Sequence, residues 1–252
     1  MSILIKDLRF SFKNFSLRVA GMKFESSRIT SIVGPNGAGK STFLKCLGFV
    51  LPAGRGMLFL DGRDLASFEN RERARLISYV PQEQAPTFNY TVMEFVVMGR
   101  AAGLSLFSAP SDRDLRIAGE SLDYVGLGHY AERPHHQLSS GERRLVLIAR
   151  ALAQQSDIML LDEPTTFLDP RHEIEIMELI RRLAEERRKT ILVTLHSLDL
   201  AVRYSDRMVF MKNGEVLASG TPSDTLSEEL LERVYDLKMK IVDHESRKLI
   251  IR

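Results

Sequence analysis

Gly34-Pro35-Asn36-Gly37-Ala38-Gly39-Lys40-Ser41-Thr42 decides the fold of this 252-residue chain. The stretch follows a short apolar run, Ile29-Thr30-Ser31-Ile32-Val33, which reads as a buried strand. It precedes Phe43, Leu44 and Leu47, spaced as on one face of a helix. Its glycines therefore stand where a strand turns sharply into a helix, the context that a phosphate-binding loop needs. Glycine lets the backbone wrap closely, so that several N–H groups point at one phosphate chain. The helix start adds unpaired N–H groups and the positive end of the helix dipole. Lys40 can reach the β- and γ-phosphates, and the Ser41 hydroxyl suits Mg²⁺. The stretch predicts nucleotide binding.

Composition narrows the class. The length suits one large α/β domain or one domain with an inserted subdomain. Lys and Arg total 35 against 33 Asp and Glu, a net charge of +2 that gives no electrostatic footprint for nucleic acid. The one cysteine, Cys46, excludes an internal disulfide and a CxxC metal site, and reads as a small buried apolar residue. The N-terminus opens directly into a strand-like pattern without a signal peptide, and apolar runs such as Ile158-Met159-Leu160-Leu161 are far too short to span a bilayer. The expectation is a cytoplasmic protein that meets a membrane only through a partner.

Working outward, residues 3–33 hold short strand candidates: Ile3-Leu4-Ile5, Leu8 to Phe12, Phe15 to Val19 and Met22-Lys23-Phe24, with a turn at Lys13-Asn14. They suggest an antiparallel β piece beside the phosphate-loop strand. Residues 84–133 carry no strand pattern. Thr91 can cap a helix bearing Val92, Phe95, Val96 and Met98, and Ser111 or Asp112 can cap a second through Leu115, Ala118, Leu122 and Val125. This stretch reads as a helical insertion, with residues 1–83 and 134–252 forming the α/β core around it. Leu138-Ser139-Ser140-Gly141-Glu142 precedes a strong helix, and Asn213-Gly214 between two apolar runs signals a hairpin.

Three predicted strands end in polar residues: Gln82, Asp162-Glu163 and His196. In an open parallel sheet, ligands bind outside the carboxyl ends of the strands, so these side chains would converge on the phosphates. Asp162 can share the Mg²⁺ shell with Ser41. Glu163 can activate a water for attack on the γ-phosphate. His196 can donate to that phosphate or position the water, and Gln82 can touch the metal or the water. His129, His135, His136, His172 and His244 show no metal-ligand spacing and read as structural.

At this point the residues resemble the nucleotide-binding subunit of ABC transporters, over essentially the whole chain. Gly34 to Thr42 looks like Walker A, Ile158 to Asp162 like Walker B with Glu163 as catalytic carboxylate, and Leu138 to Glu142 like the LSGGQ motif. Gln82 matches the Q-loop, Thr166-Phe167-Leu168-Asp169 the D-loop, and His196 the switch histidine. Phe12 falls where the family places an aromatic that stacks on adenine. Three residues depart from the pattern: Ser140 replaces a glycine, Glu142 replaces glutamine, and Phe167 stands where a smaller residue is usual.

The resemblance implies an α/β P-loop NTPase core of RecA-like type with an antiparallel β subdomain and the helical insertion. It implies an ATPase that uses ATP and Mg²⁺. Two copies would pair head-to-tail, each ATP lying between Walker A of one and Ser139 and Gly141 of the other, near Asp169. The helical insertion would dock on a membrane permease at the inner face of the membrane, with a substrate-binding protein as an indirect partner. Thr91 to Arg100, Gly220-Thr221-Pro222 and Leu230 to Tyr235 are similar to subunits serving iron–siderophore, haem or cobalamin uptake. A soluble ATPase acting as an assembly switch, of the iron–sulfur assembly type, and an exporter subunit are the alternative readings.

Overall fold

The computed structural model describes residues 1–82, 89–104, 108–244 and 247–251. Two long strands open the chain, β1 (Ile3–Phe12) and β2 (Phe15–Phe24), paired antiparallel from Ile3 opposite Phe24 to Phe12 opposite Phe15. The four short strands expected here are thus two continuous ones. The turn between them, with Lys13 at φ 51°, is where expected. β3 (Ile29–Val33) is buried at every position and leads through the phosphate loop into α1 (Lys40–Leu47).

β4 (Leu58–Leu60) and the two-residue β5 (Arg63–Asp64) extend the antiparallel edge. The charged helix α2 (Asn70–Leu76) runs into β6 (Ile77–Val80). α3 (Val92–Val97) and α4 (Asp112–Tyr124) follow, each entered through a capping box, Thr91 with Glu94 and Ser111 with Asp114. The Ser111 hydroxyl and the Arg100 guanidinium hold the Asp114 carboxyl down at about 2. Next come α5 (Ser140–Ala153), β7 (Ile158–Leu161), α6 (Pro170–Glu186), β8 (Thr190–Thr194), α7 (Leu198–Tyr204), β9 (Arg207–Lys212) and β10 (Glu215–Gly220). The chain closes with α8 (Pro222–Thr225), α9 (Glu228–Tyr235) and a small hairpin of β11 (Lys240–His244) and β12 (Arg247–Ile251).

Among the described residues the strands from β1 to β10 form a single sheet in the order β5-β4-β1-β2-β10-β9-β3-β8-β7-β6. From β9 to β6 all neighbours are parallel, so these strands deliver their carboxyl ends to one edge. The antiparallel piece belongs to the same sheet: β10 pairs with β9 along its length and meets β2 where Glu215 faces Arg18. The hairpin between β9 and β10 has Asn213 at φ 50° and Gly214 at φ 80°, as a two-residue primed turn requires. Gly214 also donates its N–H to the Ala38 carbonyl at 2.9 Å and accepts from the Arg18 N–H at 2.8 Å. One turn therefore ties the phosphate loop to both parts of the sheet.

The ends of the helical insertion are fastened to each other. Thr91 and Pro134 form an isolated antiparallel bridge, His135 N–H donates to the Tyr90 carbonyl at 2.9 Å, and Val92 N–H to the Arg133 carbonyl at 2.9 Å. Val92, Phe95 and Val96 of α3 and Leu122 of α4 join Val146 and Ile148 of α5 and Met159 of β7 in one apolar cluster. The insertion is seated on the core through α5. A second cluster joins β1 and β2 to α1, with Phe24 and Phe43 at its centre.

Cys46 is fully buried in this second cluster, and burial pushes its thiol up to about 11. A thiol that remains protonated is a poor nucleophile. Iodoacetamide at pH 8 is expected to leave the native protein unlabelled and to label it once urea unfolds it; rapid native labelling, read by mass spectrometry, would contradict that burial.

Candidate functional site

The loop before α1 is a closely packed crook. Lys40 is 5% exposed and folds back along the loop, its Nζ donating to the carbonyls of Gly34 at 2.9 Å and Pro35 at 3.2 Å. Burial lowers its pKa, and the nearby carboxylates of Glu163 and Asp162 work against that shift. Gly39 stands in the left-handed region at φ 97°, and a Cβ there would lie 2.6 Å from the Phe15 ring. The backbone conformation favours glycine at this position, and a side chain would also have to displace the Phe15 ring.

Asp162 and Glu163 follow the buried strand β7 and are 2% and 7% exposed. Asp162 collects three hydroxyls: Ser41 Oγ donates to Oδ1 at 2.8 Å, Thr194 Oγ1 to Oδ1 at 2.8 Å, and Tyr79 OH to Oδ2 at 2.9 Å. Each donor comes from a different element, α1, β8 and β6, so the sheet and α1 jointly fix the carboxylate. Burial and the Asp162 charge raise the Tyr79 pKa, which keeps the phenol a donor.

Glu163 has a left-handed backbone, φ 47°, uncommon for a residue with a side chain. Its N–H donates to Thr194 Oγ1 at 2.8 Å. Its carboxylate is gripped from two sides: His196 Nε2 lies 2.6 Å from Oε1, while Gln82 Nε2 donates to Oε2 at 2.5 Å and Thr166 Oγ1 at 3.3 Å. A pocket runs along the loop from Phe15 and Asn36 to Thr42, with Glu163 at its wall. A neighbouring cleft is lined by Asn36, Gln82, Glu163, Phe167 and His196. The loop residues Gly34, Pro35, Asn36, Gly37, Ala38, Gly39, Lys40, Ser41 and Thr42 thus come together with Gln82, Asp162, Glu163 and His196, as their places at strand ends led one to expect.

Four expected residues stand apart from this cluster. Phe12 is 61% exposed beside the β1–β2 turn, with the Lys13 ammonium 5.4 Å from its ring centre, and Phe15 lines the loop pocket in its place. Asp169 caps α6, accepting from the N–H groups of Arg171 at 3.0 Å and His172 at 3.1 Å and pairing with His172 Nδ1 at 2.5 Å. Ser139 caps α5 in a reciprocal box: its Oγ accepts from Glu142 N–H at 3.3 Å, and Glu142 Oε2 accepts from Ser139 N–H at 2.7 Å. Glutamate in place of glutamine serves this box well, because a carboxylate favours the positive end of the helix. A Cβ on Gly141 would lie 3.1 Å from the His172 ring, so this glycine lets the starts of α5 and α6 close on each other.

Sequence reasoning did not single out Phe15, Tyr79, Thr194 or Arg144. Thr194 carried a signal, as a hydroxyl at the carboxyl end of an apolar strand two residues before His196. Tyr79 held the corresponding place three residues before Gln82. The arrangement can bind a phosphate chain on backbone N–H groups and an ammonium, and can present a carboxylate to a water beside it.

Comparison with known proteins agrees with this geometry. The sequence profile of the ABC transporter family matches residues 17–166. The iron(3+)-hydroxamate import ATP-binding protein of Bacillus subtilis is 38% identical over 85% of this chain and 80% of its own. The ferric enterobactin transport ATP-binding protein of Escherichia coli is 35% identical over 88% of this chain and 82% of its own. An inward-facing metal-chelate type ABC transporter superposes with a TM-score of 0.86 at 27% identity, covering 99% of this chain and 96% of that one. A dimeric ATP-binding cassette in a post-hydrolysis state with ADP and Pi superposes with a TM-score of 0.72 at 27% identity, covering 88% and 98%. The phosphate crook, the paired carboxylates behind it and these likenesses together establish that the chain belongs to the ABC transporter family, as an ATP-binding protein that hydrolyses ATP.

Proposed function

We propose that this protein powers a membrane importer for an iron–siderophore or related metal chelate, working as a pair of identical copies on a membrane permease. The observation that carries the paired form is the division of the site. Lys40 and Glu163 share one pocket, whereas Ser139 and Gly141 line neither that pocket nor the cleft beside it. A second copy turned head-to-tail would lay its Ser139 and Gly141 over the nucleotide and complete it. ATP would favour the closed pair because only that state supplies both sets of contacts.

Glu163 then serves as general base toward the attacking water, and His196 and Gln82 hold it in place. Lys40 and the loop N–H groups bind the phosphates, and Phe12 or Phe15 offers a face to adenine. Ser41, Asp162 and Gln82 fit Mg²⁺: they offer hard oxygen donors, and the Ser41 and Asp162 oxygens lie 2.8 Å apart behind the loop. Bound there, Mg²⁺ would neutralise phosphate charge.

In this reading the helical insertion, seated on α5, meets the permease. No described helix is long and apolar enough to cross a membrane; in this reading a membrane partner supplies the spans and holds this protein at the inner face. The cargo class follows the names of the iron-chelate transport relatives. Affinity purification from detergent-solubilised native membranes is expected to bring down a polytopic membrane protein. Recovery with a soluble scaffold in its place would sink the importer reading and favour an assembly ATPase.

A further inference from the structure

Arg144 lies on α5 five residues beyond the cap Ser139, and it is 8% exposed. Its Nη1 donates to the Pro81 carbonyl at 3.1 Å and also to the Gln82 carbonyl. A guanidinium taken out of water must have its N–H groups bonded, and here consecutive carbonyls beyond the end of β6 take that part. Peptide units are planar, so two neighbouring carbonyls held by one nitrogen leave the backbone at Gln82 little freedom to rotate. The Gln82 side chain starts from this fixed base and reaches Glu163 at 2.5 Å. A continuous line of contacts thus runs from the start of α5, through Arg144 and Gln82, to Glu163. Val146, Leu147 and Ile148 fill the adjoining buried positions of α5 with apolar side chains. An apolar residue at 144 would pack there without the desolvation cost of a guanidinium but would not reach the two carbonyls.

We infer that Arg144 is a positioning residue that makes Gln82, and through it Glu163, follow the start of α5. The inference rests on the paired arrangement proposed above. In that arrangement the start of α5 in one copy touches the nucleotide held by the other, while Arg144 and Glu163 of that first copy serve its own nucleotide. Filling one site therefore sets Gln82 at the other, and the two sites are energetically coupled.

Arg144→Met keeps the length and helix preference of the side chain and removes its donors. Arg144→Lys keeps the charge and a donor. Steady-state ATP hydrolysis against ATP concentration, with binding of a fluorescent ATP analogue measured separately, reads the effect. Arg144→Met should lower kcat by about 10-fold, leave KM and analogue affinity within about 3-fold, and reduce a Hill coefficient above 1 to 1. Arg144→Lys should recover part of both changes. The inference is overturned by parental kcat and Hill coefficient in Arg144→Met, by a loss of affinity as large as the loss of kcat, or by a Hill coefficient of 1 in the parent. If Arg144→Met fails to fold, Arg144→Lys carries the same test, and parental behaviour in it overturns the inference. Failure of the paired reading is separate: Glu163→Gln that stays monomeric with ATP removes both, whereas ATP-driven pairing of Glu163→Gln with parental kinetics in Arg144→Met removes only this inference.

Discussion

Glu163→Gln is expected to bind ATP, to hydrolyse it at least about 100-fold more slowly than the parent, and to accumulate as a closed pair. The size follows from the general-base role proposed for Glu163, whose side chain walls the pocket along the loop. Little else is disturbed. Glutamine is nearly isosteric, the Glu163 N–H bond to Thr194 Oγ1 is a backbone bond, and the amide oxygen can still accept from His196 or Gln82. Nucleotide is therefore captured and not consumed. Gel filtration with light scattering, with ATP and Mg²⁺ present, should show the mass of two chains. A monomer that demonstrably holds ATP would refute the paired site while leaving the loop assignment intact.

Lys40→Ala is expected to act one step earlier, weakening ATP binding by about 100-fold and removing hydrolysis with it. Hydrogen bonds to charged groups contribute about 1.5–3 kcal/mol each, and the ammonium is placed to make more than one to a phosphate chain. In the chain alone this ammonium is already withdrawn from water and held by the Gly34 and Pro35 carbonyls. Phosphate oxygens would take over from those carbonyls, so the ammonium arrives desolvated and close to position. The fold should survive, since Gly214 independently holds Ala38. Isothermal titration calorimetry on a sample with parental circular dichroism is the measurement. Unchanged affinity would refute the role given to the loop.

What was readable in the sequence had local causes. The loop from Gly34 to Thr42 could be read because its glycines, lysine and hydroxyl act within nine consecutive residues. Thr91 and Ser111 could be read as helix starts because a cap bonds to N–H groups two or three residues ahead. Gln82, Asp162, Glu163 and His196 could be grouped because the carboxyl ends of parallel strands share one edge. Arg144 could not, since its partner Pro81 lies 63 residues away and nothing in its neighbourhood names it. The first two strands were divided because a short alternating run looks the same whether it ends or continues through a residue such as Gly21. Phe15 was not singled out, because only the reversal of the strand at Lys13-Asn14 brings it back against Gly39.

The turn at Asn213-Gly214 has a practical consequence. A two-residue hairpin is a usual place to insert a tag, a fluorophore or a new chain end, because exposed tips tolerate change, but here only Asn213 is exposed and Gly214 is buried. This one is also the hinge pin of the phosphate crook, through the bond from Gly214 N–H to the Ala38 carbonyl. Cutting or lengthening it would slacken the grip on a nucleotide some 170 residues earlier in the chain, without touching any residue that contacts phosphate. A label for following this protein at work belongs elsewhere. A reporter at this turn, in return, would register the tension of the loop.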